Sequence, residues 1–272
     1  MPTLDHLNAK ALRELPSKDY VATYEPQSRK VTKLKVLGLM DTRGLNLHGM
    51  DVVQDEHDSA LLWVYLVNHR PPLNSTTDAA KTGADSVVEL FKTRIGSNSI
   101  EWVKTVSDPQ VIVTPNDIVG GSNGKEFWFT NDHAVKTGVS RKIHMYLGIK
   151  STSVGYCHLD TGCKIAADKL YSSNGIVRDK MGRVWVASSV GGYVTIHEQR
   201  ADKTLVPVKI VKIGRAIDNV ALASDGSIIV SAFPQGAHFT GKAVKDVNLP
   251  SPVSAFRISG DTGKDYKVEK VS

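Results

Sequence analysis

Six polar residues stand at matching places in a chain otherwise built from short apolar runs: His48, Asn116, Asp117, Asn174, Asp218 and Asn219. They open four segments of one form, a polar pair, an apolar pair, a spacer carrying Gly or Asp, and an apolar run of four or five residues. The copies begin at His48 (HGMDVVQDEHDSALLWVYLVNH), Asn116 (NDIVGGSNGKEFWFTNDH), Asn174 (NGIVRDKMGRVWVASS) and Asp218 (DNVALASDGSIIVSAF), with starts 68, 58 and 44 residues apart. If the repeats are arrayed around an axis, the carboxamides and carboxylates at their openings converge there. Buried without partners, each would cost a few kcal/mol. A hard cation removes that cost. Calcium takes six to eight oxygens from Asp and Asn side chains, carbonyl groups and water, whereas zinc would call for His or Cys.

The elements that must position these residues read as strands. Short β-branched or aromatic runs alternate with Gly, Asn, Asp and Ser turns along nearly the whole chain, the pattern of an all-β protein. The repeat spacing matches one blade of a β-propeller with loops of varying length. Each copy supplies the two inner strands of a blade. The outer strands lie between copies: Val87 to Arg94 and Ser99 to Val106 flank a turn at Ile95 to Asn98, and Tyr193 to Gln199 precedes Pro207 to Ile213. Trp63, Trp128 and Trp185 sit in the apolar strands as blade core. Helical periodicity is confined to Leu4 to Leu15, while Val135 to Leu147 fits either reading. The Asn-Gly pair at Asn174 suits a hairpin turn as well as a strand start, and Asp132 with His133 suits either a blade-corner tie or support of a metal site.

Length and composition bound the function. The 272 residues are 41% hydrophobic and carry a net charge of +6. The densest basic stretch, Ser28 to Lys35, alternates its charges with Val31 and Leu34. That is the solvated face of a strand, not the contiguous basic surface nucleic acid requires. No run of 18 apolar residues spans a membrane, and charges occupy Met1 to Arg13 where a secretory leader would be apolar. An upstream leader would place the protein outside the cell. Cys157 and Cys163 flank Asp160, Thr161 and Gly162, so a local disulfide across a hairpin and two reduced thiols both remain open. No G-x-S-x-G elbow is present, which removes the usual serine nucleophile.

Taken together, the copies resemble the serum paraoxonase/arylesterase family, in particular its fungal-type members. The residues that carry the resemblance are HGMDV at His48, LVNH ending at His69, PNDIV at Pro115, TNDH at Thr130, SSNGI at Ser172 and IDNV at Ile217, colinear from about Tyr24 to Ile258. The resemblance implies a six-bladed propeller holding two calcium ions and hydrolysing small lactones and aryl esters. It implies that Asn116, Asn174, Asp218 and Asn219 ligate the catalytic calcium. Asp117 and the main-chain carbonyl of Met50 would hold the structural one, and His48 and His69 would be the pair that activates water. The chain departs from the family where a Glu-Asp pair is expected, since MPTLDHLNAK offers only Asp5, and where closing strands are expected after about Lys264. Phe233 stands where mammalian relatives carry histidine. The expected layout is therefore an extension or blade remnant over 1–23 and a propeller over 24–272 with about five blades represented. A non-catalytic propeller fragment, a binding protein, and a strictosidine-synthase-like or gluconolactonase-like protein are the alternatives.

Overall fold

The computed structural model describes residues 19–73, 79–236, 246, 248–260 and 265–271. The helix expected over Leu4 to Leu15, Asp5 and the position of Lys264 lie outside them. Nineteen strands and two short helical segments, Ala79–Thr82 and Ser140–Tyr146, make up the described elements. The ambiguous stretch Val135 to Leu147 thus contains the second of these helices.

Strands β1 (Ala22–Glu25) and β2 (Lys30–Lys33) form a separate antiparallel pair whose side chains are almost all exposed, as the alternating charges require. β3 (Lys35–Leu37) lies parallel to β7. Four four-stranded antiparallel arrays follow in strict chain order. The first is β4 (Leu47–Gln54), β5 (Leu61–Arg70), β6 (Asp85–Arg94) and β7 (Ser99–Val106); the second is β8 (Pro115–Gly120), β9 (Glu126–Asn131), β10 (Thr152–His158) and β11 (Gly162–Leu170). The third is β12 (Ser173–Arg178), β13 (Val184–Ser188), β14 (Tyr193–Gln199) and β15 (Leu205–Lys212), and the fourth β16 (Ala216–Leu222), β17 (Ile228–Phe233), β18 (Ser254–Ser259) and β19 (Lys267–Lys270). Each sequence copy is the first two strands of one blade, and the turn expected at Ile95 to Asn98 joins β6 to β7.

Burial explains the composition. The second strands β9 and β13 are buried along their whole length and β5 from Val64 to Arg70, which calls for the uninterrupted apolar runs FWF, VWVA and VYLV. Edge strands alternate: β15 buries Leu205 and Val211 and exposes Val208 and Ile210. The hairpin turns inside the first and third copies share one device. Asp55 Oδ1 accepts the backbone N–H groups of His57 and Asp58 while its Oδ2 accepts Trp63 Nε1–H at 2.8 Å. Asp179 does the same for Met181, Arg183 and Trp185. Trp128 and Trp185 are core residues, whereas Trp63 is half-buried, with its ring where a Cβ at Gly124 would fall. Cys157 and Cys163 are joined as a disulfide between β10 and β11.

The chain divides into two compact units. The first comprises Met1–Trp128, Val135–Gly138 and Cys157–Lys164, the second Phe129–Ala134, Val139–Tyr156 and Ile165–Ser272. The core of the second packs Trp185, Val194 and Ile196 of one blade with Ile217, Val230 and Ile258 of the next. In the first, Leu45, Val64, Leu66, Phe91 and Ile100 form a core cluster.

Candidate functional site

A regular antiparallel ladder would turn every second side chain of an inner strand toward the same face. Inner strands β4, β12 and β16 break that rule at the same point. The partner of Leu47 is Asn68 and that of Met50 is Leu66; Ser173 pairs with Ser188 and Ile176 with Val186; Ile217 pairs with Ala232 and Val220 with Val230. One surplus residue therefore sits in each inner strand, at His48-Gly49, Asn174-Gly175 and Asp218-Asn219. Such bulges re-aim a side chain and release it from the ladder. Glycine is required at the second bulge position in two of them. A Cβ on Gly49 would lie 2.3 Å from the Asn116 carbonyl oxygen, and one on Gly175 within 2.8 Å of the backbone of Asp218, Asn219 and Val220. In each unit, a glycine thus lets one copy's bulge lie against the next copy's polar pair.

In the first unit this geometry builds a line of side chains. Asn116 Nδ2 stands 3.5 Å from His48 Nε2, His48 Nδ1 stands 3.3 Å from His69 Nε2, and His69 Nδ1 stands 2.8 Å from Ser86 Oγ. His48 is exposed on the edge strand β4, whereas His69 is 1% exposed and Ser86, its direct cross-strand partner, 3%. The backbone of His69 is clamped as well. Its N–H donates to the Asn46 carbonyl, Asn46 Nδ2–H donates back to the His69 carbonyl at 3.1 Å, and the Asn46 N–H donates to Asn68 Oδ1. Arg70 continues the row with ion pairs to Asp41 and Asp85, which Arg43 also binds. Asp117 receives the N–H of Ile118 on Oδ1, and Met50, its side chain half exposed, takes its ladder place opposite Leu66.

In the second unit Asn174 and Asp218 both line a cavity of 410 Å³, together with Asp132, His133, Tyr171, Ile217 and Phe233. Burial pushes the Asp218 carboxyl above the ordinary range; the Asn174 side chain, hydrogen-bonded to it, opposes that shift, and the Asp132 charge adds to it. Asn174 Oδ1 is buried and has no hydrogen-bond partner among the described residues. Asp132 and His133 approach each other at 2.8 Å. Asn219 is exposed, and its carbonyl accepts the Ser231 hydroxyl. The helix Ser140–Tyr146 contributes Arg141 and His144 to the cavity, and the turn after β13 contributes Ser189, none of which carried a sequence signal.

Among the described residues no three His, Cys, Asp or Glu side chains gather as a metal-binding group. A cation here would be held mainly through amide and carbonyl oxygens, which suits a hard ion. The Asn174 oxygen, without a hydrogen-bond partner among the described residues, and the Asp218 carboxylate, whose charge burial disfavours, are oxygen donors that a hard ion would satisfy.

Comparison with known proteins decides the family. The arylesterase profile matches residues 10–271, almost the entire chain. The chain belongs to the arylesterase family. Serum paraoxonase/arylesterase 1 of Mus musculus is 26% identical over 94% of this chain and 67% of its own length. Serum paraoxonase/lactonase 3 of the same animal is 27% identical over 80% of this chain and 58% of its own. Among solved structures, a putative 6-phosphogluconolactonase of Bacteroides uniformis superposes with a TM-score of 0.52 at 12% identity, covering 93% of this chain and 62% of that one. Together with the blade order, that likeness makes this an all-β propeller fold. The arylesterase chain described here accordingly spans about two thirds or less of these relatives.

Proposed function

We propose that this arylesterase-family chain hydrolyses lactones and aryl esters of small size, using calcium as electrophile and His48 with His69 to activate water. The observation that carries the reading is the pair Asn174 and Asp218: an orphaned amide oxygen and a charge-averse carboxylate facing one cavity. The names of the relatives, arylesterase and lactonase, support the same reaction class. Asn116, Asn174, Asp218 and Asn219 are assigned to the catalytic ion, and Asp117 with the Met50 carbonyl to a second, structural one. Bound calcium would polarise the substrate carbonyl and neutralise the developing oxyanion.

The chain's own residues do the rest. His48 Nε2 takes a proton from water, the resulting hydroxide adds to the carbonyl carbon, and the acyl C–O bond breaks as the carbonyl re-forms. The proton then returns to the leaving oxygen. An imidazole suits this exchange because its ordinary pKa lies near neutrality. The apolar wall of Ile149, Ile217 and Phe233 accepts an aryl ring or an alkyl-substituted lactone. Initial rates on phenyl acetate and on a γ-lactone test the proposal. Activity that EDTA abolishes and calcium restores supports it, and turnover indifferent to chelation, or no turnover with calcium in excess, rejects it.

A further inference from the structure

A second cavity, of 230 Å³, lies wholly within the second unit, lined by residues of the outer strand β11 of one blade and of β13, β14 and β15 of the next. It shares only Tyr171 and Ser173 with the 410 Å³ cavity. Its wall is apolar over Leu170, Val186, Tyr193 and Ile210, and His197 is set among them. That ring is fully buried, and its Nδ1 stands 3.3 Å from the carbonyl oxygen of Val184, the cross-strand partner of His197. A carbonyl only accepts, so Nδ1 carries the hydrogen and donates it. Burial pushes the ring below its ordinary pKa, against hydrogen bonding to the Val184 and Thr195 backbone, so it is neutral at pH 7. Nε2 therefore presents a lone pair, buried and without a hydrogen-bond partner among the described residues. An acceptor left in that state costs about 1–3 kcal/mol.

We infer that this second cavity is a binding site for phenols, whose hydroxyl donates to His197 Nε2 while the aromatic ring fills the apolar remainder. The chemistry of the wall selects that class. A lone pair in apolar surroundings repels a carboxylate or phosphate and calls for a donor, and a phenolic hydroxyl is a stronger donor than an aliphatic one. The serine hydroxyls are already engaged: Ser188 Oγ donates to the Tyr171 carbonyl, and Ser173 Oγ lies 2.9 Å from Thr152 Oγ1. Lys150, Asp168 and Lys169 also line the cavity, but all three are exposed, so water screens their opposed charges and they do not make an anion site. Size limits the ligand to one ring, since an apolar cavity of about 150 Å³ accepts benzene and this one is somewhat larger. The site stands independently of the hydrolase reading, because none of its residues is assigned to the ion or to water activation.

Fluorine-19 NMR titrations of the full chain with 4-fluorophenol, fluorobenzene and 4-fluorobenzoate test this, with no ester or lactone present. The expected result is saturable binding of 4-fluorophenol with a dissociation constant of about 1 mM or below, the reach of a ligand of this size in a fitted cavity. Fluorobenzene, which lacks the donor, should bind about tenfold more weakly or worse, and 4-fluorobenzoate no better than fluorobenzene. His197→Phe should bring 4-fluorophenol down to the level of fluorobenzene. Ile210→Trp, at an exposed position on β15, should remove the binding of both by filling the cavity. No saturation by 4-fluorophenol below about 10 mM overturns the inference. So does equal binding of 4-fluorophenol and fluorobenzene, a preference for 4-fluorobenzoate, or undiminished binding of 4-fluorophenol by Ile210→Trp, which would place it elsewhere. Should His197→Phe fail to fold, the comparison with fluorobenzene and the Ile210→Trp titration still decide. A chain without esterase activity would reject the hydrolase reading and leave these titrations unaffected.

Discussion

His48 and His69 sit 3.3 Å apart yet in opposite surroundings, one exposed on an edge strand and the other sealed between β5 and β6. Substitution should separate their contributions. His48→Gln is expected to lower kcat by about 10²–10⁴-fold while leaving stability within about 0.5 kcal/mol, since little packing is lost at an exposed position. His69→Ala should lose the same activity and also about 1–3 kcal/mol of stability, because the buried Ser86 hydroxyl then faces a void while the backbone clamp of Asn46 stays. Steady-state kinetics beside urea unfolding checks both. In the second unit, Asn174→Ala should lower the melting temperature in EDTA only by what the lost hydrogen bond to Asp218 contributes, about 1 kcal/mol, because the other atom it removes is an oxygen without a hydrogen-bond partner among the described residues. With calcium present the same variant should lose most of the metal-dependent rise. An equal loss in both buffers would show Asn174 to be structural.

The elements do more than carry these residues, because the bulges aim them. Gly49→Ala and Gly175→Ala each drive a Cβ into the backbone of the following copy and should cost about 1–3 kcal/mol, read as a fall in the urea midpoint with unchanged slope. The sheet edge beside β5 has its own electrostatic tie. The Arg43 side-chain hydrogen bond above all, aided by the Arg43 backbone N–H and by the charges of Arg43 and Arg70, holds the Asp41 carboxyl at about 2 against the opposing effect of burial. A carboxyl depressed in the folded state stabilises fully above its unfolded value near 3.8 and loses that contribution as pH falls through about 2. Asp41→Asn should therefore lower stability at pH 5 to 7 by no more than about 1 kcal/mol, given solvent screening, and the gap from the unaltered chain should close between pH 4 and pH 2. Denaturation midpoints across that range measure it. At this scale the sequence was legible where burial repeats: FWF, VWVA and VYLV must be inner strands, and the polar pairs before them mark the copies. The bulges were not legible, since one surplus residue leaves a polar-then-apolar pattern intact and Asn-Gly reads equally as a turn. Ser86 was hidden for a related reason. A serine before Val87 and Val88 is ordinary strand sequence until the β5–β6 register sets it opposite His69.

For the whole molecule, a ligand that binds only the folded chain adds stability by mass action. Calcium at about 100 times its dissociation constant should contribute roughly 2.7 kcal/mol, seen as a concentration-dependent rise in Tm, with magnesium giving less because it resists a large, irregular oxygen shell. A Tm indifferent to calcium up to millimolar concentrations would count against the oxygen-donor reading of Asn174 and Asp218. The propeller was visible from the repeat alone, because each blade needs the same two central strands. The disulfide between Cys157 and Cys163 was not, because a six-residue spacing also suits two thiols.

The surplus residue in β12 has a consequence for how this architecture can change. Deleting Gly175 would leave Ser173 opposite Ser188 and Ile176 opposite Val186, with Asn174 falling into the gap opposite Ala187. The hairpin would then pair without interruption, and the core residues of β13 would keep their neighbours. Asn174 would become an ordinary rung, pointing where the pleat sends it. If the proposed calcium site holds, a single lost codon would in this way remove a ligand from the blade while leaving it able to fold, so inactive descendants of such a chain should differ from active ones by gaps of one residue at the head of an inner strand.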